Sequence, residues 1–314
     1  MRFILLLFIF GFTVATSAQD NSGLYAPIKK SNDPQGGSVF YITNDNHWGA
    51  MAFGTAKYGA LEKLSDSLYV LSHIKPESPF LIYGRKNKSL ADSTKLFFSD
   101  FTGGSYLVNF NTGQDILPKV RKVFSDRANG FSFPYVYTLH RGLDSISLAK
   151  RFGIGNEVYE FITFKNPNGY NEFIIENHSE QFFERDRIVV IKNAKLYDLG
   201  RPQNGYRRLS GVDSTVNEMN NYLKDYFVYP KLVFYSSKYK NLKETDLNED
   251  RWLLDSRENY YYQGEKSEAV RNENKADYNE PIIVYPYKKL GAPTTQNTAA
   301  QIVGSPLFKT YMED

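Results

Sequence analysis

Along most of the chain apolar and polar positions alternate with a period near two. Short runs rich in Phe, Tyr, Val and Ile recur at SVFYIT (38–43), FLIYG (80–84), KLFFS (95–99), SYLVNF (105–110) and FSFPYVYTL (131–139). Such runs, bounded by Gly, Asn, Asp, Ser or Pro, predict β-strands. Further strands are expected in RIVVIKNAKLYDL (187–199), PKLVFYSS (230–237) and EPIIVYPY (280–287). In EVYEFITFKNPNGYNEFIIEN two such runs flank NPNG, whose Pro167 and Gly169 suit a tight turn, and the spacing predicts a β-hairpin over about 157–176.

The period changes in GVDSTVNEMNNYLKDYF (211–227). Val212, Val216, Met219, Leu223 and Tyr226 follow helical spacing, and Thr215 with Glu218 has the form of a capping box. A second helix is expected in DILPKVRKVFSDRANG (115–130), with Leu117, Val120 and Phe124 facing the core and Lys119, Arg121, Lys122 and Arg127 in water. YGALEKLSDSLYVLSHI (58–74) fits a helix, or a short helix to about Ser67 followed by a strand. Residues 237–280 mix charges of both signs with few aliphatics, so exposed helices and long loops are expected around Trp252 and Tyr260 to Tyr262.

The pattern therefore predicts an α+β fold, predominantly antiparallel β with a few amphipathic helices. No fixed-period repeat is found, which argues against a propeller or solenoid. Residues 19–37 read as a flexible leader and 38–290 as one domain, or as two halves meeting near the turn-rich stretch 200–212. The tail 291–314 reads as loosely held.

Composition adds aromatic excess and little net charge. With 24 Tyr and 23 Phe, aromatics make up 16% of the chain and favour strands. The 38 basic and 35 acidic residues give +3, with no basic stripe of the density nucleic acid requires. The absence of cysteine excludes disulfides, thiolate metal sites and a cysteine nucleophile. Residues 1–18 (MRFILLLFIFGFTVATSA) have one positive charge at Arg2, an apolar run and small residues before Gln19, which is the pattern of a secretory signal peptide. No later run is long enough for a transmembrane helix. An exported, cysteine-free protein of this length points to a bacterial periplasm or cell exterior.

Candidate chemistry is dispersed. NDNHWGAMAFG (44–54) reads first as a turn, with His47 and Trp48 at the edge of the core. Its second reading is a ligand surface in which Trp48 stacks on a sugar ring. Tyr261 in the aromatic stretch NYYYQ (259–263), with Trp252 nearby in sequence, is a second candidate ligand-binding surface, packing of a long loop onto the body being the commoner outcome. His140, Arg141 and Asp144 follow a strand and read first as an ordinary turn with an ion pair, and second as an acid/base catalyst or anion clamp. Glu184 and Asp186 alternate with Arg185 and Arg187 in a pattern more typical of a solvated strand edge than of a glycosidase pair. Arg141, the SGVDST stretch and Glu280 occur in the order of the arginine, Ser/Thr strand and late glutamate of toxin-type ADP-ribosyltransferases, which they resemble. However, SGVDST reads as a helix start, and Tyr278 stands where that family has an acidic residue or glutamine. No cofactor or metal motif is present. The sequence thus suggests a non-catalytic binding or structural role toward a polysaccharide, a peptidoglycan fragment or an envelope protein. The alternative is a hydrolase or transferase using His140, Arg141, His47 and Glu280.

Overall fold

A computed structural model of the chain describes residues 21–29, 38–52, 55–101, 106–110, 118–125, 133–150, 158–201, 205–248 and 250–309. The signal peptide expected over 1–18 lies outside these residues. The fold is mostly antiparallel β, with three short α-helices among the described residues. Among the described residues no helix is long and apolar enough to cross a membrane. The chain divides into two compact units, one built from residues up to Ile74 together with Arg185–Val228, the other from Lys75–Glu184 and Tyr229 onward. The stretch 200–212 is therefore not a boundary, since it lies inside the first unit.

In the first unit eight strands close into a barrel: Gly23–Pro27, Val39–Ile42, His47–Ala52, Thr55–Lys63, Leu68–His73, Arg187–Lys192, Lys195–Asp198 and Gly205–Arg208. Gly23–Pro27 belongs to the expected flexible leader, yet it pairs on both sides and Tyr25 is fully buried, because closure of the barrel requires that strand. YGALEKLSDSLYVLSHI forms two strands and no helix; Leu61 and Leu71 sit directly opposite each other in the ladder. Alternation then divides the side chains. Tyr25, Phe40, Ile42, Trp48, Leu61, Tyr69, Leu71, Val189, Ile191 and Leu196 form one core. Leu24, Tyr41 and Tyr58, of opposite orientation, pack with Val216 and Leu223 of the helix Asp213–Tyr226 and with Phe227, which caps its C-terminus. That helix agrees with the periodicity of its sequence. The 187–199 segment is a hairpin whose turn residues Asn193 and Ala194 both have positive φ, 53° and 55°. That is the backbone twist a two-residue hairpin turn needs.

The second unit stacks two sheets. The larger runs in the order Val136–Leu139, Thr94–Ser99, Glu172–Asn177, Phe80–Arg85, Ile283–Lys289, Leu232–Ser236, Asn241–Leu242, with the hairpin Trp252–Asp255/Tyr260–Gln263 joined to Ile283–Lys289. The smaller runs Thr294–Ala299, Val158–Lys165, Ser145–Lys150, Tyr106–Asn109, Lys119–Lys122, Gln301–Ile302. Ile82, Leu96, Phe98, Phe173 and Ile175 from one sheet meet Val108, Ile146, Leu148, Ile162 and Phe164 from the other in the principal core.

Three sequence expectations change here. The 157–176 segment is not a hairpin, because its two strands do not pair with each other. Val158–Lys165 pairs with Ser145–Lys150 and Thr294–Ala299, while Glu172–Asn177 pairs with Phe80–Arg85 and, in parallel, with Thr94–Ser99. The turn is an arch from one layer to the other. Asn166 fastens it, donating to the Leu143 and Tyr170 carbonyls (2.7 and 2.9 Å) and accepting from the Tyr170 amide (3.0 Å). Strands apolar on both faces need two lateral neighbours and a layer on each side, which a lone hairpin cannot provide.

The helix expected over 115–130 is also replaced. Its described portion contains the strand Lys119–Lys122, with Val120 buried and Arg121 turned to bond the Tyr137 hydroxyl (2.6 Å) and the Ser305 carbonyl (2.9 Å). Arg121 is therefore not a freely solvated cation. Pairing with Tyr106–Asn109 and Gln301–Ile302 outweighs the helical spacing. Finally, the tail is tied down: Thr294–Ala299 is a strand of the smaller sheet, and Phe308 packs on Phe98 and Phe124.

Candidate functional site

NDNH is a turn between Val39–Ile42 and His47–Ala52. The Thr43 amide donates to the His47 carbonyl (2.9 Å), the Asn46 amide to the Thr43 carbonyl (3.2 Å), and Asn46 takes φ 59°. The Thr43 hydroxyl bonds Asp45 and helps hold its carboxyl below the usual carboxylate range. His47 lies 3.2 Å from Asp45, 34% exposed, with its ring stacked on Tyr58. Trp48 is not a surface platform. It is 2% exposed, stacked on Phe40, and its indole N–H donates to the Ser72 carbonyl (3.2 Å). Gly59 makes this possible, since a Cβ there would meet Ser72 O at 1.8 Å and the Trp48 indole nitrogen at 2.8 Å.

Trp252 is likewise buried, in a cluster with Phe234 and Val284; Tyr261 packs beside it, edge-on to Phe234. The expected surface around these two residues is thus a packed seam. His140, Arg141 and Glu280 are exposed. Arg141 is engaged structurally, donating to the Phe110 carbonyl (3.0 Å) and accepting at its own carbonyl from Thr94 (2.7 Å). The SGVDST stretch opens a helix in the barrel unit, not a strand, while Arg141 and Glu280 belong to the other unit. Among the described residues no group of three or more His, Asp or Glu could hold a metal ion.

The chemistry gathers instead on the outer face of the larger sheet in the second unit. Alternation puts Phe173 and Ile175 into the core, and so turns Glu172, Ile174 and Glu176 outward. Register then sets Arg85 and Lys95 on either side of Glu172, and Tyr83 and Phe97 on either side of Ile174. Arg85 bridges Glu172 at 2.5 Å, with side chains only 14% and 6% exposed. Asn87 donates a further bond to the same carboxylate (2.9 Å). The guanidinium lies 3.8 Å above the Tyr285 ring and 5.3 Å from that of Tyr287. Burial opposes the Arg85 charge, but Tyr287 and Glu172 outweigh it and the net pKa shift is upward.

Beside this pair, Tyr239 closes the face. It occupies the turn between Leu232–Ser236 and Asn241–Leu242 at φ 63°, unusual for a bulky residue, and its amide donates to the Ser236 carbonyl (3.0 Å). That conformation lays its ring on Phe97, centroids 4.4 Å apart. Burial, then the Glu172 charge, pushes its hydroxyl pKa upward. The Tyr239 hydroxyl and Arg85 Nε are buried and meet no hydrogen-bond partner among the described residues.

Above the Tyr239–Phe97 stack stand two exposed rings. Phe133, 52% exposed, meets Phe97 edge-on at 5.8 Å and Tyr278, 38% exposed, at the same distance. Lys240 lies 5.3 Å from the Tyr278 ring centre. The loop bearing Tyr278 is anchored, since Lys238 donates to the Ala276 carbonyl (2.6 Å) and Tyr285 to Glu273 (2.7 Å). Farther along the face Glu176 accepts from the Tyr235 hydroxyl (2.8 Å) and lies 3.1 Å from His178. Sequence reading missed Phe133 and Tyr278 because they are 145 positions apart, one in a run taken as strand and the other in a polar loop. Phe133 reaches the sheet directly at Phe97, and Lys238 and Tyr285 hold the loop that bears Tyr278.

No protein-family model matches the chain, and no curated protein or solved structure matches it.

Proposed function

We propose that this is an exported bacterial envelope or extracellular protein with a non-catalytic binding role, and that Phe133, Tyr278 and Lys240 form its binding surface. The ligand class is a polysaccharide or peptidoglycan fragment. The observation that carries this reading is the exposed pair Phe133–Tyr278, in which Phe133 is braced by the buried Phe97–Tyr239 stack and Tyr278 by Phe133. An exposed large aromatic costs free energy unless it is used, and a braced one loses little entropy when a sugar ring docks on its face. Lys240 adds a donor and positive charge suited to sugar hydroxyls or a muropeptide carboxylate. Export rests on the pattern of residues 1–18, and a bacterial source on an exported chain of this length having no cysteine.

The test is a thermal-shift titration of the purified protein with soluble glycans and muropeptides. At about a hundred times the dissociation constant a ligand stabilises by about 2.7 kcal/mol. The shift is expected to vanish in Tyr278→Ala and Phe133→Ala and to persist in Trp48→Phe. A shift untouched by both ring deletions, or none with any glycan, overturns the reading. Cell fractionation checks export; retention of residues 1–18 in a cytoplasmic product would refute it.

A further inference from the structure

The outward side of the barrel carries a pattern that closing the barrel does not require. On Arg187–Lys192, Lys195–Asp198 and Gly205–Arg208, the side chains of Val189, Ile191, Leu196 and Tyr206 join the interior core. Alternation therefore turns Ile188, Val190, Lys192, Lys195, Tyr197 and Arg207 outward. Register sorts them into rows. Lys192 lies opposite Lys195, and Lys195 opposite Arg207, so three exposed cations stand side by side. Val190 and Tyr197 form the next row. Beyond it come Ile188 and Leu199, the Leu199 amide donating to the Ile188 carbonyl (3.0 Å). In water both ends of this face are unfavourable, because Ile188 is 45% and Leu199 51% exposed and like charges directly opposite one another repel. None of the three cations has an ion-pair partner among the described residues; Asp198, turned inward opposite Val189, is held by Arg187 (3.6 Å). Glu62 faces outward too, but it stands two strands from Ile188, across Val70.

We infer that this face docks on the surface of an anionic lipid bilayer. Charge complementarity selects that occupant: the cation row meets lipid phosphates, and the aliphatic rows enter the boundary between headgroups and acyl chains. Lysine and arginine stems are themselves apolar, so their charged ends can stay at the phosphates while the face sinks. Other occupants satisfy only half of the pattern. A soluble polyanion would neutralise the cations and leave Ile188 and Leu199 in water. A second copy meeting the same patch would cover the aliphatics but bring cations, and no carboxylates, to the cation row. A peptide strand finds no free backbone, since Arg187–Lys192 and Lys195–Asp198 are paired on both sides. The three strands have six, four and four residues, short of the roughly nine to eleven that cross a bilayer, so the face lies on the membrane. This surface belongs to the barrel unit, and the inference does not rest on the Phe133–Tyr278 ridge.

Co-sedimentation with vesicles tests this, using protein freed of residues 1–18, whose apolar run would bind lipid by itself. Binding is expected to vesicles of phosphatidylglycerol with phosphatidylcholine, much less to phosphatidylcholine alone, and to weaken as salt is raised. Lys192→Gln with Lys195→Gln should weaken it at least about tenfold, and so should Ile188→Ser with Leu199→Ser. Lys224→Gln, which removes an exposed charge from the helix Asp213–Tyr226, should leave it within about twofold. All five side chains are exposed, so unchanged near-ultraviolet dichroism verifies folding of each variant. Absence of binding to the mixed vesicles, equal binding to phosphatidylcholine alone, or an equal loss in Lys224→Gln overturns the inference. So does binding of soluble polyphosphate without vesicle binding, or a dimer in sedimentation equilibrium that Ile188→Ser with Leu199→Ser abolishes while vesicle binding is kept.

Discussion

The barrel and the sandwich draw on the same aromatic-rich alphabet and handle it differently. In the barrel every strand has two neighbours, so the sheet has no edge, and its interior fills with Tyr25, Phe40, Trp48 and aliphatics. The sandwich keeps open edges and a second face on its larger sheet, and that face carries Arg85, Glu172, Glu176 and His178 among tyrosines. Closure leaves little of the barrel's sheet for polar work, whereas an open sheet has a face that must be covered. Here the cover is made of tyrosines, whose rings exclude water and whose hydroxyls still answer buried charge. Stability in the barrel is therefore mainly a matter of packing; in the sandwich it depends also on a few buried charges.

The largest expected effect breaks the sandwich alone. Glu172→Ala leaves the Arg85 guanidinium buried without its carboxylate and should cost about 3–5 kcal/mol. Hydrogen exchange should show lost protection in Phe80–Arg85 and Thr94–Ser99 but not in the barrel strands. Replacing both partners, Arg85→Met with Glu172→Leu, should recover most of that loss, because removing a buried pair is far cheaper than orphaning one member. The matching disruption in the barrel is Gly59→Ala, whose new methyl meets the Ser72 carbonyl. It should cost about 1–3 kcal/mol as overpacking, read from exchange in Thr55–Lys63 and Leu68–His73.

Alkaline titration sharpens the contrast. Six sandwich tyrosines, Tyr83, Tyr235, Tyr239, Tyr260, Tyr285 and Tyr287, have pKa values raised chiefly by burial, against Tyr41 and Tyr58 in the barrel. Their folded-state values exceed their unfolded ones, so the unfolded chain loses these protons first. Their contribution to stability is intact below about pH 10 and falls as pH rises toward the folded-state values. Exchange measured from pH 8 upward, corrected for its intrinsic pH dependence, should show the sandwich weakening before the barrel; equal weakening would contradict the comparison. The smallest effect is a gain. Ala194→Gly relieves a non-glycine residue at φ 55° and should stabilise the barrel by about 1 kcal/mol in urea denaturation.

Much of the fold was legible along the chain because strand and helix periods are local. The aromatic runs at 80–84, 95–99, 230–237 and 280–287 are strands, and the helical spacing from Val212 is a helix. The NPNG turn shows the limit. Its residues specify a reversal of the chain, but whether the flanking strands pair side by side or face each other across a core depends on neighbours more than sixty residues away. Val120 and Phe124 misled for a related reason, since residues four apart share a face in a helix and in a strand. Trp48 reads along the chain as a residue at the edge of the core, or second as a sugar platform, and the barrel's closure puts it fully inside.

By itself, then, the sequence determined the β-dominated class, the helix Asp213–Tyr226, the lack of thiol chemistry and the near-neutral charge, all of which follow from local pattern or from composition. Only the tertiary structure decided that strands from 185–228 return to close a barrel with strands from 21–74, that the 158–177 segment arches between layers, and that Glu172 meets Arg85 on the outer face of the larger sheet. Those outcomes depend on which distant strands pair. Pairing is chosen by the burial of whole faces, a quantity no short stretch of sequence contains.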